Sequence, residues 1–172
     1  MEITRYASAK LTLTLRMIEK RSDGFNDLEA FTVFLPEVND KIVLNENKKS
    51  HELVIDSADK LQANDSNLVN KALNLFTSHE RIEEKSETYF KIDLTKTIPV
   101  AAGLGGGSAD AAATLNALNY FYNEELTMTE LSYLAAELGS DVAACLYSQA
   151  LFMRGRGELI DLVDDFYIDD LE

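Results

Sequence analysis

The segment Pro99–Asn119, PVAAGLGGGSADAAATLNALN, concentrates residues that could bind phosphate. Four of the chain's 8 glycines fall within five positions, and a serine follows them: Gly103, Gly105, Gly106, Gly107 and Ser108. Glycine accepts positive φ and lets a ligand approach the backbone without a Cβ in the way. A glycine turn that opens a helix directs free N–H groups and the positive end of the helix dipole at one spot. The segment therefore predicts a phosphate-binding loop.

The alternative is a tight strand-to-helix connection that binds no ligand. The number of glycines, with Ser108 placed to cap the helix, favours phosphate binding. The loop is not a P-loop, because no lysine follows its last glycine, and Gly103-Leu104-Gly105 lacks the third glycine of a dinucleotide-binding turn. The segment therefore indicates a phosphate loop of another type.

The composition of the chain argues against several classes of binding partner. The formal net charge is −14, and such a surface repels nucleic-acid backbones, so we expect no nucleic-acid partner. No apolar run approaches the roughly 20 residues that span a bilayer, so we expect no membrane partner. The N-terminal segment has no secretion-signal pattern, and Cys145 is the single cysteine, which together favour the cytoplasm. His51 and His79 lack metal-site spacing, and we predict no metal ligands.

Strands come first along the chain and helices mostly later, which predicts one α+β domain over residues 1–172. The alternating segment KLTLTLRM predicts a half-buried strand with Lys10 on its polar face and with an apolar face formed by Leu11, Leu13, Leu15 and Met17. Further strands are predicted at residues 29–35 and 40–46, joined through Pro36, and at 51–57, 88–95, 150–155 and 157–162.

Four helices are predicted to surround the glycine segment. The first begins at Asp65 or Ser66, and its apolar stripe contains Leu68, Ala72, Leu75 and Phe76. The second runs from about residue 108 to 122 and carries the stripe Ala111, Leu115, Leu118 and Tyr122. Thr127 and Glu130 form a capping box for the third, and a short fourth helix is predicted at SDVAACLY.

The glycine segment resembles the phosphate-binding motif of the GHMP kinases. Other segments match the family in the expected order: ASAKLTLTL, KRSDGFNDLEAF, NDSNLVNKA, KTIP, GSDVAACLY and GRGE. The GLGGGS variant is similar to that of the family branch in non-mevalonate isoprenoid biosynthesis, whose acceptor carries a cytidine group. The resemblance implies a ribosomal protein S5 domain 2-like α+β domain. It also implies ATP, Mg²⁺ and phosphorylation of a hydroxyl on a small-molecule substrate.

The resemblance implies roles for individual residues. Lys10 and Asp141 match the family's catalytic pair, in which Asp141 accepts the hydroxyl proton and Lys10 steadies the developing charge. Asn67 and Lys96 match positions near the adenine site, and Asp110 matches a variable polar position of the glycine motif. The triphosphate loop corresponds to Gly103, Leu104, Gly105, Gly106, Gly107 and Ser108.

Several positions depart from the family pattern. Thr12, which the resemblance places among the substrate-binding residues, stands where the family has asparagine, and Ala143 stands where it has proline. Phe25 and Asn26 replace the Tyr-His pair that helps hold the cytidine part of the substrate. The family's second domain does not occur within the 172 residues, so we expect a piece of a longer protein or a shortened relative. A non-catalytic relative that binds nucleotide or a protein partner stays an alternative, and a homodimer is also left open.

Overall fold

A six-stranded mixed sheet forms the frame of the protein. The computed structural model describes residues 1–20, 22, 24, 26–83, 88–164 and 166. The strands are β1 Glu2–Lys20, β2 Asn26–Asn47, β3 Glu52–Asp56, β4 Tyr89–Thr95, β5 Leu151–Gly155 and β6 Leu159–Leu162. They are ordered β3-β4-β2-β5-β6, and β1 runs alongside β2. The pair β3–β4 is parallel, whereas the other described pairs are antiparallel, which confirms the α+β prediction.

The helices are α1 Leu68–Thr77, α2 Glu80–Glu83, α3 Gly106–Phe121, α4 Met128–Leu138 and α5 Ser140–Cys145. Helix α3 packs against β1 and β2, and α1 and α5 pack against α3. It is buried on almost every side from Ala109 to Leu115, because alanine side chains let its neighbours approach closely. Of the predicted stripe, Ala111, Leu115 and Leu118 are buried and Tyr122 is half-buried at the end of the helix, but burial is not confined to that stripe.

The helix starts differ in part from the predictions. Asn67 caps α1 by accepting a hydrogen bond from the N–H of Val69 at 2.9 Å, so the predicted cap at Asp65 or Ser66 is wrong. Helix α3 begins at Gly106, after Gly105 in the left-handed region, so the predicted cap at Ser108 is wrong. The capping box of α4 is confirmed. Helix α2 was not predicted from the sequence.

Strand β2 is continuous, so the prediction of two strands joined through Pro36 is wrong. Its partner β1 shifts register here, because Ser8 pairs with Asn39 while Ala9 pairs with Leu35. Pro36 therefore lies in a bulge, where its missing N–H breaks no ladder hydrogen bond. The first half of β2 pairs with β5 and its second half pairs with β4.

The predicted faces of β1 are also wrong. The Lys10 side chain is 6% exposed, whereas Leu15 is 61% exposed. Register shifts after Ser8 and Thr12 interrupt the simple alternation of the strand. Within the described residues, α3 covers the beginning of β1, and its far end carries the exposed side chains Leu13, Leu15, Met17 and Ile18.

Asn119 fixes the turn between α3 and α4, which predicts a large cost for its removal. Its buried amide donates to the carbonyl of Leu126 at 2.9 Å and accepts from the N–H of Leu126 at 3.0 Å. Asn119→Ala leaves both groups of Leu126 unpaired inside the protein and should lower the free energy of unfolding by about 2–4 kcal/mol.

The matched control is Asn116→Ala on the same helix. The half-buried Asn116 makes one hydrogen bond to the carbonyl of Leu146 at 3.1 Å, so its loss should cost about 1 kcal/mol. Urea unfolding of both variants measures the difference, and equal losses would contradict the role assigned to Asn119.

Candidate functional site

The glycine loop borders a cavity of about 510 Å³. The first hydrogen bond of α3 runs from the N–H of Ala109 to the carbonyl of Gly105. The preceding N–H groups, at Gly106, Gly107 and Ser108, have no partner within the helix. These three residues line the cavity, so the positive end of α3 opens onto it. The loop and the start of α3 are thus accessible from the cavity, which phosphate binding would require.

The glycines of the loop serve two purposes. Gly103 adopts φ +78° beside open space, so its need for glycine comes from the backbone. Gly105 has φ +66°, and a Cβ there would lie 2.9 Å from Cε of Lys10. A Cβ on Gly106 would lie 3.1 Å from both Nζ of Lys96 and Cγ2 of Ile98. At these last two positions glycine makes room for protein side chains, a reason the sequence interpretation did not include.

Lys10 and Asp141 form an ion pair beside this loop. The distance from Nζ of Lys10 to Oδ1 of Asp141 is 3.0 Å. Nζ also donates to Oγ1 of Thr12 at 2.9 Å, and the backbone N–H of Lys10 donates to the carbonyl of Leu104 at 2.8 Å. Lys10 is buried, whereas the Asp141 side chain is 46% exposed and remains accessible. The structure therefore brings Thr12, Lys10, Asp141 and the loop together.

The position of Asp141 depends on the turn between β5 and β6. Asp141 lies in the first turn of α5, directly after Ser140. Gly157, with φ +110°, lies so close to this helix start that a Cβ would be 2.5 Å from the carbonyl oxygen of Ser140. The GRGE segment therefore packs against the start of α5, next to Asp141.

Burial raises the pKa of nearby Cys145 to about 12, which keeps its thiol protonated and unreactive.

Lys96 lies between two carboxylates on the other side of the loop. Its Nζ donates to Asp40 and, at 2.7 Å, to Oδ2 of Asp110. The side chains of Asp40, Lys96 and Asp110 are each at most 5% exposed. Burial lowers the pKa of Lys96, but the charges and hydrogen bonds of both carboxylates outweigh burial and raise it. Lys96 lines the cavity as a paired cation.

Asp40 is the site residue that sequence reasoning missed. Its Oδ1 accepts the N–H groups of Thr97 at 2.6 Å and Ile98 at 2.8 Å, which fixes the segment beneath the glycine loop. Asp40 and Lys96 are 56 positions apart, so no local spacing links them. Asp40 stands between the polar residues Asn39 and Lys41 at the start of a predicted strand, so the local pattern gave no signal.

The remaining predicted site residues are Asn67, Phe25 and Asn26. Asn67 lines the cavity and caps α1. Asn26 pairs with Lys20 at the far end of the β1–β2 hairpin. At about 3.3 Å per strand residue, that is on the order of 30 Å along β1 from Lys10. Phe25 lies outside the described residues. The structure thus places Asn67 at the cavity but leaves Asn26 away from the glycine loop.

Two further observations concern the described part of the chain. None of its helices is both long enough and apolar enough to cross a membrane. Its His, Cys, Asp and Glu side chains form no group of three or more that could hold a metal ion.

Comparison with known proteins agrees with this geometry. Residues 67–149 match the family model described as GHMP kinases N terminal domain. One solved structure superposes on 94% of this chain with a TM-score of 0.70, and its sequence is 31% identical over the match. Residues 67–149 are thus similar in sequence to a GHMP kinase N-terminal domain, and the fold of the described residues agrees with that similarity.

The similar relatives are named 4-diphosphocytidyl-2-C-methyl-D-erythritol kinase. One from Francisella tularensis subsp. novicida is 37% identical over 155 residues, covering 90% of this chain and 54% of its own length. One from Bacillus cytotoxicus is 36% identical, covering 94% of this chain and 54% of its own length. The chain spans about half the length of the curated relatives it matches.

The solved structures extend the comparison. The structure at TM-score 0.70 is that of 4-(cytidine 5'-diphospho)-2C-methyl-D-erythritol kinase, of which this chain covers 55%. The mevalonate kinase of Methanococcus jannaschii has a TM-score of 0.69 at 18% identity, a similarity that concerns the fold alone. The resemblance drawn from the glycine segment is therefore confirmed.

The support of α5 by Gly157 predicts a large effect of a single methyl group. Gly157→Ala combines positive φ with a clash against the backbone of Ser140, so either α5 or the turn must move. We expect a loss of about 2–4 kcal/mol in the free energy of unfolding.

The matched control is Gly103→Ala, where φ is also positive but no atom lies within 4 Å of the added Cβ. Backbone strain alone should cost about 1 kcal/mol there. Urea unfolding compares the two, and a Gly157→Ala loss no larger than the Gly103→Ala loss would contradict the proposed support.

Proposed function

We propose that this chain is the nucleotide-binding part of an ATP-dependent small-molecule kinase. The proposed acceptor is a hydroxyl of 4-diphosphocytidyl-2-C-methyl-D-erythritol, which places the reaction in non-mevalonate isoprenoid biosynthesis. The observation that carries the proposal is the 3.0 Å ion pair of Lys10 and Asp141 beside the glycine loop. The names of the similar relatives support the choice of acceptor.

The exposed carboxylate of Asp141 is suited to act as the general base. In the proposed step the acceptor oxygen attacks the γ-phosphorus of ATP, Asp141 takes the hydroxyl proton, and ADP leaves. Lys10 pairs with Asp141 and places a positive charge beside the developing oxyanion. Thr12 holds the Lys10 ammonium through a hydrogen bond of 2.9 Å, so its role is to position Lys10 next to the substrate.

The cavity has the size and the donors for ATP. Its volume of about 510 Å³ lies within the usual range for small-molecule sites. The loop N–H groups would hold the triphosphate, while Asn67 and the paired Lys96 would shape the wall near the base. Mg²⁺ would accompany the triphosphate and neutralise part of its charge. We assign no protein ligand to it.

A second candidate is a non-catalytic relative that binds nucleotide or a protein partner. One observation favours it: Phe25 and Asn26 replace the pair that helps hold cytidine. Cytoplasmic location and a homodimer also stay predictions.

Asp141→Asn separates the two candidates, because it removes the proposed base and preserves the size of the side chain. Turnover with ATP and 4-diphosphocytidyl-2-C-methyl-D-erythritol should fall about 10²–10⁴-fold, while ATP affinity is retained. Lys10→Met should also cause a severe loss of turnover. A coupled assay of ADP release measures both, with any further domain of the natural protein present.

The control is Asp161→Asn, an exposed aspartate that pairs with Arg154 on the neighbouring strand and should leave turnover unchanged. Undiminished activity in Asp141→Asn would rule out the mechanism. A wild-type protein that binds ATP but never turns over would favour the non-catalytic relative.

Gly106→Val tests the loop itself. The new side chain would displace Lys96 and Ile98 and shift the loop backbone, so Mg²⁺–ATP affinity should fall about 5–100-fold. Calorimetric titration measures the affinity, and thermal unfolding in parallel checks that the variant folds. Equal affinity in the folded variant and the wild type would show that the loop does not bind the phosphates.

A further inference from the structure

One oxygen of Asp110 has no hydrogen-bond partner among the described residues. Asp110 is 3% exposed, and its Oδ2 accepts from Nζ of Lys96, but Oδ1 is buried and unpaired. Unpaired buried carboxylate oxygens are costly, and such an atom in a native structure calls for an explanation. Asp110 also lines the cavity at the glycine loop, so the explanation concerns that site.

The charges around Asp110 do not balance. The buried group consists of Asp110 on α3, Asp40 on β2 and Lys96 after β4, so two carboxylates share one ammonium. Asp40 has the stronger support, since it also accepts two backbone N–H groups. When both acids are ionised, the buried group carries a net charge of −1. Asp110 is therefore the carboxylate whose protonation would remove the excess negative charge of the buried group.

Other titratable groups lie near this buried group. Lys10 on β1 and Asp141 on α5 are paired with each other at 3.0 Å, and the thiol of Cys145 on α5 is protonated. The pKa of Asp110 is raised to about 7, because burial and the neighbouring Asp40 raise it by more than the charge and hydrogen bond of Lys96 lower it. Asp110 can thus exchange its proton near neutral pH.

Asp110 is also close to the place where phosphate would bind. It lies one turn after the start of α3 at Gly106, so its negative charge opposes the positive potential of that helix end. The Lys96 ammonium beneath Gly106 is already neutralised by its partners. A ligand anion on the loop would therefore repel the Asp110 carboxylate, and burial of Asp110 weakens the screening of that repulsion by solvent.

We propose that Asp110 takes up a proton when an anionic nucleotide binds at the glycine loop. This inference rests on the proposed nucleotide site and adds a pH dependence to it. The bound anion disfavours the ionised form, so the proton affinity of Asp110 is higher in the complex than in the free protein. Nucleotide affinity then falls as the pH rises above about 7, by at most about tenfold per pH unit for one proton.

Isothermal titration calorimetry with Mg²⁺–ADP tests the proposal. The observed heat is measured at pH 7.5 in two buffers with different ionisation enthalpies, and the difference gives the number of protons taken up. Wild type should take up a measurable fraction of one proton more than Asp110→Asn, in which this carboxyl is removed. Comparing the two proteins cancels the titration of the nucleotide itself.

Asp93→Asn is the matched control, because it makes the same change at a partly exposed aspartate that pairs with Lys91 and does not line the cavity. It should take up as many protons as wild type. If Asp110→Asn does not fold, the wild-type pH profile of Mg²⁺–ADP affinity decides, with a fall of several-fold between pH 7 and 9 expected.

The outcomes separate this inference from the function it rests on. Equal proton uptake in wild type and Asp110→Asn, or an affinity that does not change between pH 7 and 9, would overturn the role of Asp110 alone. A wild-type protein that binds no nucleotide would overturn the proposed function together with this inference.

Discussion

The close approach of the Lys10 side chain to the backbone of Gly105 is the constraint on which the candidate site depends. A Cβ on Gly105 would lie 2.9 Å from Cε of Lys10, and the Lys10 N–H donates to the carbonyl of Leu104. Strand β1 and the glycine loop are thereby fixed to one another. Because Nζ of Lys10 also reaches Asp141, a single side chain connects the strand, the loop and α5.

A protein with a net charge of −14 needs local positive potential to hold an anion. The site obtains it mainly from the backbone, since α3 directs unpaired N–H groups into the cavity. Both buried lysines already have acidic partners: Lys10 pairs with Asp141, and Lys96 pairs with Asp40 and Asp110. They therefore order the loop and its neighbours while leaving little free positive charge.

The sequence predicted the features that depend on local patterns. The helix after the glycine turn, the burial of Ala111, Leu115 and Leu118, and the Thr127 capping box each follow from neighbouring residues, and the structure confirms them. The predicted buried and exposed faces of β1 were wrong because bulges interrupt the alternation, although the sequence pattern is regular. Asp40 was missed because its partners lie on other elements of the fold, and contacts between residues so far apart in the chain produce no recognisable spacing in the sequence.

The pairing of β2 has a consequence for the order in which the chain folds. Residues 28–32 of β2 gain β5 as their second neighbour only when residues 151–155 are present. The Gly157 turn that supports Asp141 follows β5 directly. During synthesis the hairpin of β1 and β2 must therefore wait, paired along one side, while more than a hundred residues emerge from the ribosome. The ion pair of Lys10 and Asp141 likewise joins two residues that lie more than a hundred positions apart in the chain.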